Sequence, residues 1–166
     1  MIAGASERGA CFLEWHDRGG IDRIKQRVLK RFGGPLEPGG NKHLDKLDDE
    51  IQKYFLAKLK KFTVKIDVRG SAFQERVWKI LLQIPYGQTY SYGQIAEILE
   101  KPGASRAVGS ANGANYLGIV IPCHRVIQAD GGLRGYGGKV WRKKYLLELE
   151  KGLKPELPSQ VQSFNF

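Results

Sequence analysis

Two capping boxes restrict the fold of this chain more than any other sequence feature. Ser71-Ala72-Phe73-Gln74 and Ser91-Tyr92-Gly93-Gln94 each carry a hydroxyl at an N-cap position and an amide three residues later. The hydroxyl and the amide can each satisfy a free backbone N–H, so a helix is expected to begin at both places. The first of these helices carries apolar residues at helical spacing and ends at Pro85-Tyr86-Gly87. The second half of the chain is therefore predicted to be mainly helical.

A helix pair is predicted from the second capping box onward. Ile95, Ile98 and Leu99 mark one side of a short helix, Lys101-Pro102-Gly103 forms a tight turn, and residues 104–112 predict another short helix. A helix, a short turn with glycine and a second helix are typical of a helix-turn-helix. We expect residues 69–152 to form a mainly helical domain with a winged-helix-like helix-turn-helix.

The second helix of this pair has one face of small side chains. These lie at positions i, i+3, i+4 and i+7 and are Ala107, Ser110, Ala111 and Ala114. A helix that reads bases in the major groove usually carries long polar side chains instead. A face of small residues allows close approach either to a narrow minor groove or to another helix of the same protein, and the spacing leaves both open.

The first 68 residues predict a small α+β unit. Residues 1–15 are typical of a hairpin, residues 21–32 and 44–55 of helices, and residues 62–68 alternate as a strand with one buried face does. Three such strands would form a three-stranded antiparallel sheet packed against the helices. The expected fold class is α+β, with domains at 1–68 and 69–152 and a loose C-terminal tail at 153–166.

Composition limits the function classes. Of the 166 residues, 42% are hydrophobic and 27% are charged, which is the mixture of a globular protein. No apolar stretch is long enough to span a bilayer, and the N-terminus has no secretory signal pattern. Two cysteines give no disulfide framework, so a reducing compartment is expected. A net charge of +10 favours a polyanionic partner, nucleic acid first, although each basic cluster taken alone is also typical of a solvated helix face.

The two cysteines lie in different contexts. Cys11 stands in an apolar segment, where cysteine usually acts as a small hydrophobic residue. Cys123 follows the apolar run 118–122, predicted to be a buried strand, and precedes His124. A nucleophilic thiolate needs a base or a positive neighbour at neutral pH. Because adjacent side chains of a strand point to opposite faces, Cys123 and His124 can cooperate only if the chain turns there or a water bridges them.

Several segments of the chain resemble one known family. Ile121-Pro122-Cys123-His124-Arg125-Val126 is similar to the signature of the O6-alkylguanine-DNA alkyltransferases, the methylated-DNA–protein-cysteine methyltransferases. The similarity covers about half the chain. Its further segments are Phe73-Gln74-Glu75-Arg76-Val77-Trp78, Tyr90-Ser91-Tyr92, Arg106-Ala107-Val108-Gly109 and Leu146-Leu147-Glu148-Leu149-Glu150.

The resemblance implies a set of catalytic residues. Cys123 corresponds to the thiol that accepts the alkyl group from guanine O6 and keeps it as a thioether. His124 corresponds to the base that deprotonates this thiol through a water, and Glu150 to the acid that orients the imidazole. Helical periodicity alone does not choose between Glu148 and Glu150; the family spacing chooses Glu150. The remaining catalytic expectations are Tyr92, which supports the departing guanine, and Asn115, a turn residue beside the active-site segment.

The resemblance also implies a DNA surface and a base pocket. Arg106 corresponds to the finger that fills the space left by a flipped nucleotide. The other residues expected at DNA are Ala107, Ser110, Ala111, Asn112, Arg125 and Tyr92. The expected pocket consists of Tyr92, Val126, Tyr136, Gly137 and Gly138. Many family members have a hydroxyl residue where this chain has Gly137, so one possible hydrogen bond to the base is missing.

The expected function is direct reversal of DNA damage in double-stranded DNA that carries O6-alkylguanine, with O4-alkylthymine as a further candidate lesion. No cofactor, membrane or metal is expected, since Cys11, His16 and His43 lack the spacing of a zinc site. The resemblance implies a monomer, in the cytoplasm beside the nucleoid or in a eukaryotic nucleus. The chain could be a short free-standing member or the C-terminal module of a longer protein.

Other functions fit these residues less well. A non-catalytic sensor of alkylated DNA would not need Cys123. A transcription regulator would not need the Cys-His-Glu set, and its recognition helix would carry longer side chains. A cysteine protease would need a peptide-binding subsite, and nothing in the sequence resembles one.

Overall fold

The computed structural model describes residues 1–35 and 37–156. The N-terminal part contains strands β1 (Ile2–Ser6) and β2 (Gly9–Glu14) and helices α1 (Ile21–Phe32) and α2 (Lys42–Phe55). The remaining elements follow in this order: α3 (Ala72–Leu81), β3 (Tyr90–Ser91), α4 (Tyr92–Ile98), α5 (Ser105–Gly113), a 3₁₀ turn (Cys123–Arg125), β4 (Val126–Ile127) and α6 (Val140–Glu150). The fold is therefore mixed helix and sheet, as expected, with the helices predominating.

Both predicted capping boxes form. The Ser71 hydroxyl accepts a hydrogen bond from the Gln74 backbone N–H at 3.3 Å, and the Gln74 side chain accepts from the Ser71 N–H at 3.1 Å. Ser91 and Gln94 make the same pair of bonds at 3.1 and 2.7 Å. The boxes start α3 and α4 at the expected residues, and α5 follows α4 after a short turn that contains Gly103. The predicted helix pair is confirmed.

The predicted three-stranded antiparallel sheet is wrong. Strands β1 and β2 pair as an antiparallel hairpin, and β3 and β4 form a separate short parallel ladder. Residues 62–68 contribute only one bridge, a parallel contact between Ile66 and Ala10. Lys65 and Asp67 bond the backbone of Ala10 at 2.8 and 2.9 Å. The start of the segment serves another partner, because the buried Glu50 carboxylate accepts hydrogen bonds from the N–H groups of Thr63 and Val64 at 2.9 and 3.0 Å. The alternating pattern indicated a half-buried segment correctly, but not a strand.

The segment before Cys123 also differs from the prediction. Residues 118–122 form a bent, buried connection rather than a strand, with an isolated bridge between Gly118 and Ile121. Ile119 has a φ of 68°, a left-handed conformation that is strained for a β-branched residue. Asn115 holds the bend, since its side-chain amide donates to the Ile121 carbonyl at 2.9 Å and its oxygen accepts from the Leu117 N–H at 3.0 Å.

One apolar cluster contains buried residues from both predicted domains. Phe12 and Leu13 of β2 belong to it together with Trp78, Leu81 and Val108 of the helical part. The boundary after residue 68 stays a prediction. Residues 157–166, most of the predicted tail, lie outside the described residues. Within the described part of the chain, no helix is long and apolar enough to cross a membrane.

Glu50 provides a test of how residues 62–68 are held. Replacing Glu50 with Ala leaves two backbone donors without their partner, so the free energy of unfolding should fall by about 2–3 kcal/mol in urea denaturation. The control is Asp49→Ala, which removes a neighbouring carboxylate whose side chain is 53% exposed. That change should stay within about 0.5 kcal/mol. Equal losses in the two variants would contradict this account.

Candidate active site

The 3₁₀ turn from Cys123 to Arg125 presents the candidate nucleophile. Pro122 precedes the turn with a φ of −80°, and the turn breaks the extended backbone on which adjacent side chains would point to opposite faces. Cys123 is 8% exposed, and His124 is fully buried beside it in the chain. The turn thus removes the geometric objection that a strand would raise against cooperation between the thiol and the imidazole.

The Glu150 carboxylate, at the end of α6, is the centre of a buried polar network. His124 donates to it through Nε2 at 2.8 Å, and Tyr54 of α2 donates through its hydroxyl at 2.7 Å. Arg125 donates twice, from Nε and Nη2, at 2.9 Å each. The backbone N–H of Gly87 adds a fifth bond at 3.0 Å. Both carboxylate oxygens are therefore occupied by donors that hold the charged form.

These contacts decide the charges of the pair. Burial alone would raise the pKa of Glu150, but the hydrogen bonds from His124 and Arg125 outweigh it and lower the pKa to about 2. Burial lowers the pKa of His124, against the opposing effect of Glu150. A neutral imidazole that donates from Nε2 has its lone pair at Nδ1. This Nδ1 is buried and makes no hydrogen bond within residues 1–35 and 37–156. His124 can therefore accept a proton there.

The thiol of Cys123 lies among groups that act on its charge in opposite directions. Burial raises its pKa, while the Asn115 side chain and the positive charges of Arg18 and Lys143 lower it. Lys143 is fully buried and donates from Nζ to the carbonyl of Val126 at 2.5 Å. The environment thus favours a protonated thiol at rest and supplies cations that stabilise a thiolate once it forms.

A small cavity opens beside the thiol. It is lined by three groups of residues: Glu14 and Arg18; Asn112, Gly113, Asn115, Gly118 and Cys123; and Gly135, Tyr136, Gly137 and Gly138. The predicted pocket residues Tyr136, Gly137 and Gly138 are thus together with Cys123. Tyr92 lies next to this group, with its hydroxyl 3.7 Å from the place that a Cβ on Gly135 would take. Val126 is fully buried in the apolar cluster and does not line the cavity.

The predicted DNA residues separate into two sets. Arg106, Ala107 and Ser110 are exposed on one side of α5. Ala111 and Asn112 are buried instead, at 2% and 4% exposure, and the Asn112 amide lies 3.4 Å from the Cys123 carbonyl. The spacing left a groove and internal packing both open, and the family resemblance placed Ala111 at DNA; the structure shows internal packing for this residue.

Arg125 also differs from its predicted place at DNA. It is 7% exposed, and its guanidinium donates to Glu150 and, at 2.6 Å, to the Ile84 carbonyl. A basic residue beside a catalytic motif is normally exposed, but here a buried carboxylate needs a cationic partner. Arg125 therefore stabilises the Glu150 network and is not available to phosphates.

Tyr54, Glu14 and Arg18 belong to the site although the sequence did not indicate them. Tyr54 follows the apolar spacing of α2, which predicts only a helix, yet its hydroxyl lies 2.7 Å from Glu150 and 3.5 Å from His124. Glu14 and Arg18 lie more than ninety residues before Asn115 and Cys123 in the sequence and come to the cavity only through the fold. No local pattern could have found them.

The described residues contain no group of three or more metal-binding side chains. The absence of a bound metal stays a prediction.

Comparison with known proteins shows which family this chain resembles in sequence. The family model for the DNA-binding domain of 6-O-methylguanine DNA methyltransferase matches residues 72–152. A methylated-DNA–protein-cysteine methyltransferase of Mycobacterium tuberculosis is 57% identical over 107 residues, which are 64% of this chain and 65% of the relative. The inducible enzyme of that name from Bacillus subtilis is 44% identical over 137 residues, 82% of this chain and 76% of the relative.

Solved structures agree with these matches. The crystal structure of M. tuberculosis OGT in complex with DNA aligns with a TM-score of 0.77 and 43% identity, over 90% of this chain and 85% of that one. The helix pair, the buried Cys123 and the adjacent His124–Glu150 pair define a class, helix-turn-helix proteins with a buried cysteine next to a carboxylate-bound histidine. The chain belongs to the methylated-DNA–protein-cysteine methyltransferase family. It spans about 65% of the length of the mycobacterial relatives that it matches.

The Glu150 network predicts a loss of stability in acid. The carboxyl pKa is about 2 in the folded protein against an ordinary 4.5, so its contribution is complete above about pH 4.5 and is lost as the pH falls toward 2. That contribution is on the order of 3 kcal/mol. Urea unfolding at several pH values should show a steeper acid loss for the wild type than for Glu150→Gln.

Glu148→Gln is the matched control, because the Glu148 side chain is 27% exposed and its ion pair among residues 1–35 and 37–156 is with Lys144 at 3.6 Å. This variant should follow the wild-type acid profile. A Glu150→Gln profile that is parallel to the wild type would mean that the network does not govern acid stability.

Proposed function

We propose that this protein repairs alkylated DNA by moving the alkyl group from guanine O6 to its own Cys123. The observation that carries the proposal is the buried Cys123 thiol in a glycine-rich cavity, with His124 at the same turn and paired with Glu150 at the end of α6. The DNA complex of the mycobacterial relative supports a nucleic-acid partner, as does the net charge of +10.

The proposed reaction is a single displacement. Nδ1 of His124 takes the thiol proton, directly or through one water, while Glu150 holds the imidazole tautomer and stabilises the cation that forms. The sulfur of Cys123 then attacks the alkyl carbon. A C–S bond forms as the C–O6 bond breaks, and the electron pair remains on guanine O6. The hydroxyl of Tyr92, near the cavity, is our candidate donor to this developing charge.

The product is a thioether on Cys123. The polar groups that line the cavity offer no route for breaking a C–S bond, so each molecule is expected to act once. The proton taken by His124 then passes, directly or through water, to the guanine anion, so the products are the thioether and neutral guanine, and these steps need no cofactor. This assigns the enzyme activity of a methylated-DNA–protein-cysteine S-methyltransferase with one turnover.

The exposed side of α5 is the proposed DNA surface. Guanine O6 lies inside a duplex, so the nucleotide has to leave the stack before the thiol can reach it. Ala107 and Ser110 allow the helix to approach a minor groove closely, and Arg106 is long enough to occupy the vacated position. Contacts of this kind depend on the backbone and give little sequence preference, which suits repair.

Several expectations remain proposals. The protein acts as a monomer, in the bacterial cytoplasm beside the nucleoid or in a nucleus, and it accepts O6-alkylguanine with O4-alkylthymine as a further candidate. The helix pair with the short ladder of β3 and β4 acts as a winged-helix-like module. A sensor that binds alkylated DNA without reacting is the alternative function.

Intact-protein mass spectrometry tests the transfer. Incubation with duplex DNA that carries one O6-methylguanine should add about 14 Da per molecule, one CH₂ net, and peptide mapping should place it on Cys123. Cys123→Ala should abolish the gain and leave DNA binding nearly unchanged, while Cys11 serves as an internal control thiol. Tight binding without a mass gain would favour the sensor.

Arg106 tests the flipping step. Arg106→Ala should slow transfer from duplex DNA by about tenfold or more, since the vacated stack is no longer filled. Its rate with the free base O6-benzylguanine should change little, because no duplex has to open. Arg23→Ala, which removes an exposed charge from α1, is the control and should leave both rates unchanged. Equal slowing with both substrates would rule out this role for Arg106.

A further inference from the structure

The guanidinium of Arg18 occupies the cavity next to Cys123. Arg18 lies after β2, in the N-terminal part of the chain, and its side chain is only 11% exposed. A Cβ added to Gly137 would lie 2.6 Å from both Nε and Nη2 of this arginine, so the guanidinium lies directly against the glycine segment. Arg18 therefore fills the space that a side chain at position 137 would take.

Three acceptors hold the guanidinium there. Nη1 makes an ion pair with the buried Glu14 and donates to the Asn115 carbonyl at 3.1 Å. Nη2 donates to the Gly113 carbonyl at 2.9 Å. A planar cation with charge-assisted bonds in a buried place is well held, and moving it leaves the Glu14 carboxylate without its cationic partner.

The remaining space is too small for a base. The cavity has a free volume of about 10 Å³ with Arg18 in place. That is roughly the room that one water needs, whereas pockets for organic ligands measure about 300 Å³ or more. A flipped guanine can reach the thiol only after the guanidinium has left or the glycine segment has moved.

The neighbours of Arg18 indicate which of these moves. Asp17 is tied to Arg142 at 2.6 Å and to Lys139 at 2.7 Å, at the start of α6. A Cβ on Gly138 would lie 2.5 Å from the Trp15 ring, so the indole covers the other end of the glycine segment. Trp15 and Asp17, which flank Arg18 in sequence, therefore contact the glycine segment and the start of α6. Rotation of the Arg18 side chain disturbs fewer contacts than movement of the glycine segment would.

We propose that Arg18 is a specificity-determining residue that closes the base pocket of the free protein and is displaced when duplex DNA delivers a flipped lesion. The inference rests on the proposed function, because it assigns the lesion to this cavity. A free base or another small electrophile must break the contacts of Arg18 to reach Cys123, and it gains no contacts along a duplex that would offset this cost.

DNA can supply that compensation. Two of the three acceptors, the carbonyls of Gly113 and Asn115, lie at and just beyond the C-terminal end of α5. The exposed side of this helix is the proposed DNA surface, so docking of α5 and release of Arg18 act on the same short segment. Binding energy gained along the duplex can thus be used to open the pocket.

The test uses Arg18→Met in the full chain, together with Glu14→Gln/Arg18→Met, which leaves no unpaired buried charge. Each protein is labelled with iodoacetamide over a range of pH, and peptide mass mapping follows Cys123 and Cys11 separately. The labelling rates of wild type and variants are compared at the high-pH limit, where the thiol is fully ionised. This removes the effect of the lost cation on the fraction of thiolate. Arg23→Met is the control for loss of one positive charge.

We expect the limiting rate at Cys123 to rise about tenfold or more in both variants, equivalent to about 1.4 kcal/mol, with Cys11 and the Arg23→Met protein unchanged. The ratio of the rate with O6-benzylguanine to the rate with duplex O6-methylguanine should rise as well. An unchanged rate at Cys123, an equal rise at both cysteines, or a lower rate with the free base would overturn the proposal. Faster labelling of Cys123 without any alkyl transfer from DNA in the wild type would contradict the proposed function instead.

Discussion

The buried Glu150 carboxylate is the interaction on which the rest of the site depends. It receives five hydrogen bonds, from His124, Tyr54, Arg125 twice and the backbone of Gly87. A charge taken out of water is tolerated only when its partners are this complete. These partners come from α2, the turn after α3 and the 3₁₀ turn, so meeting the needs of one carboxylate fixes the relative positions of three distant parts of the chain.

This requirement has a chemical consequence. A carboxylate that stays ionised keeps the His124 proton on Nε2 and leaves Nδ1 as the acceptor. The strained bend at Ile119, fastened by Asn115, leads the chain into the turn that carries the thiol. Stability and proposed reactivity therefore depend on the same hydrogen bonds. The bonds that stabilise the buried Glu150 charge also hold His124 in the tautomer that can accept a proton.

The N-terminal part contributes more than support. Tyr54 completes the carboxylate network, while Glu14 and Arg18 line the cavity beside the thiol. Buried side chains from both parts also share one apolar cluster. The candidate site therefore draws on both sides of residue 68, with the residue proposed to close the pocket in the first part and the proposed nucleophile in the second.

The sequence by itself determined the features that depend on near neighbours. The capping boxes at Ser71 and Ser91 start helices because hydroxyl and amide act within one turn, and the motif around Cys123 carries the family resemblance from which a nucleophile and its base are predicted. Tertiary structure decided what depends on distant partners. Arg125 faces inward because a buried carboxylate needs a cationic partner, and Ala111 is buried in the apolar cluster. Thr63 and Val64 bond to Glu50 instead of continuing a strand. The place of Arg18 follows only from the fold, since its partners are far along the chain.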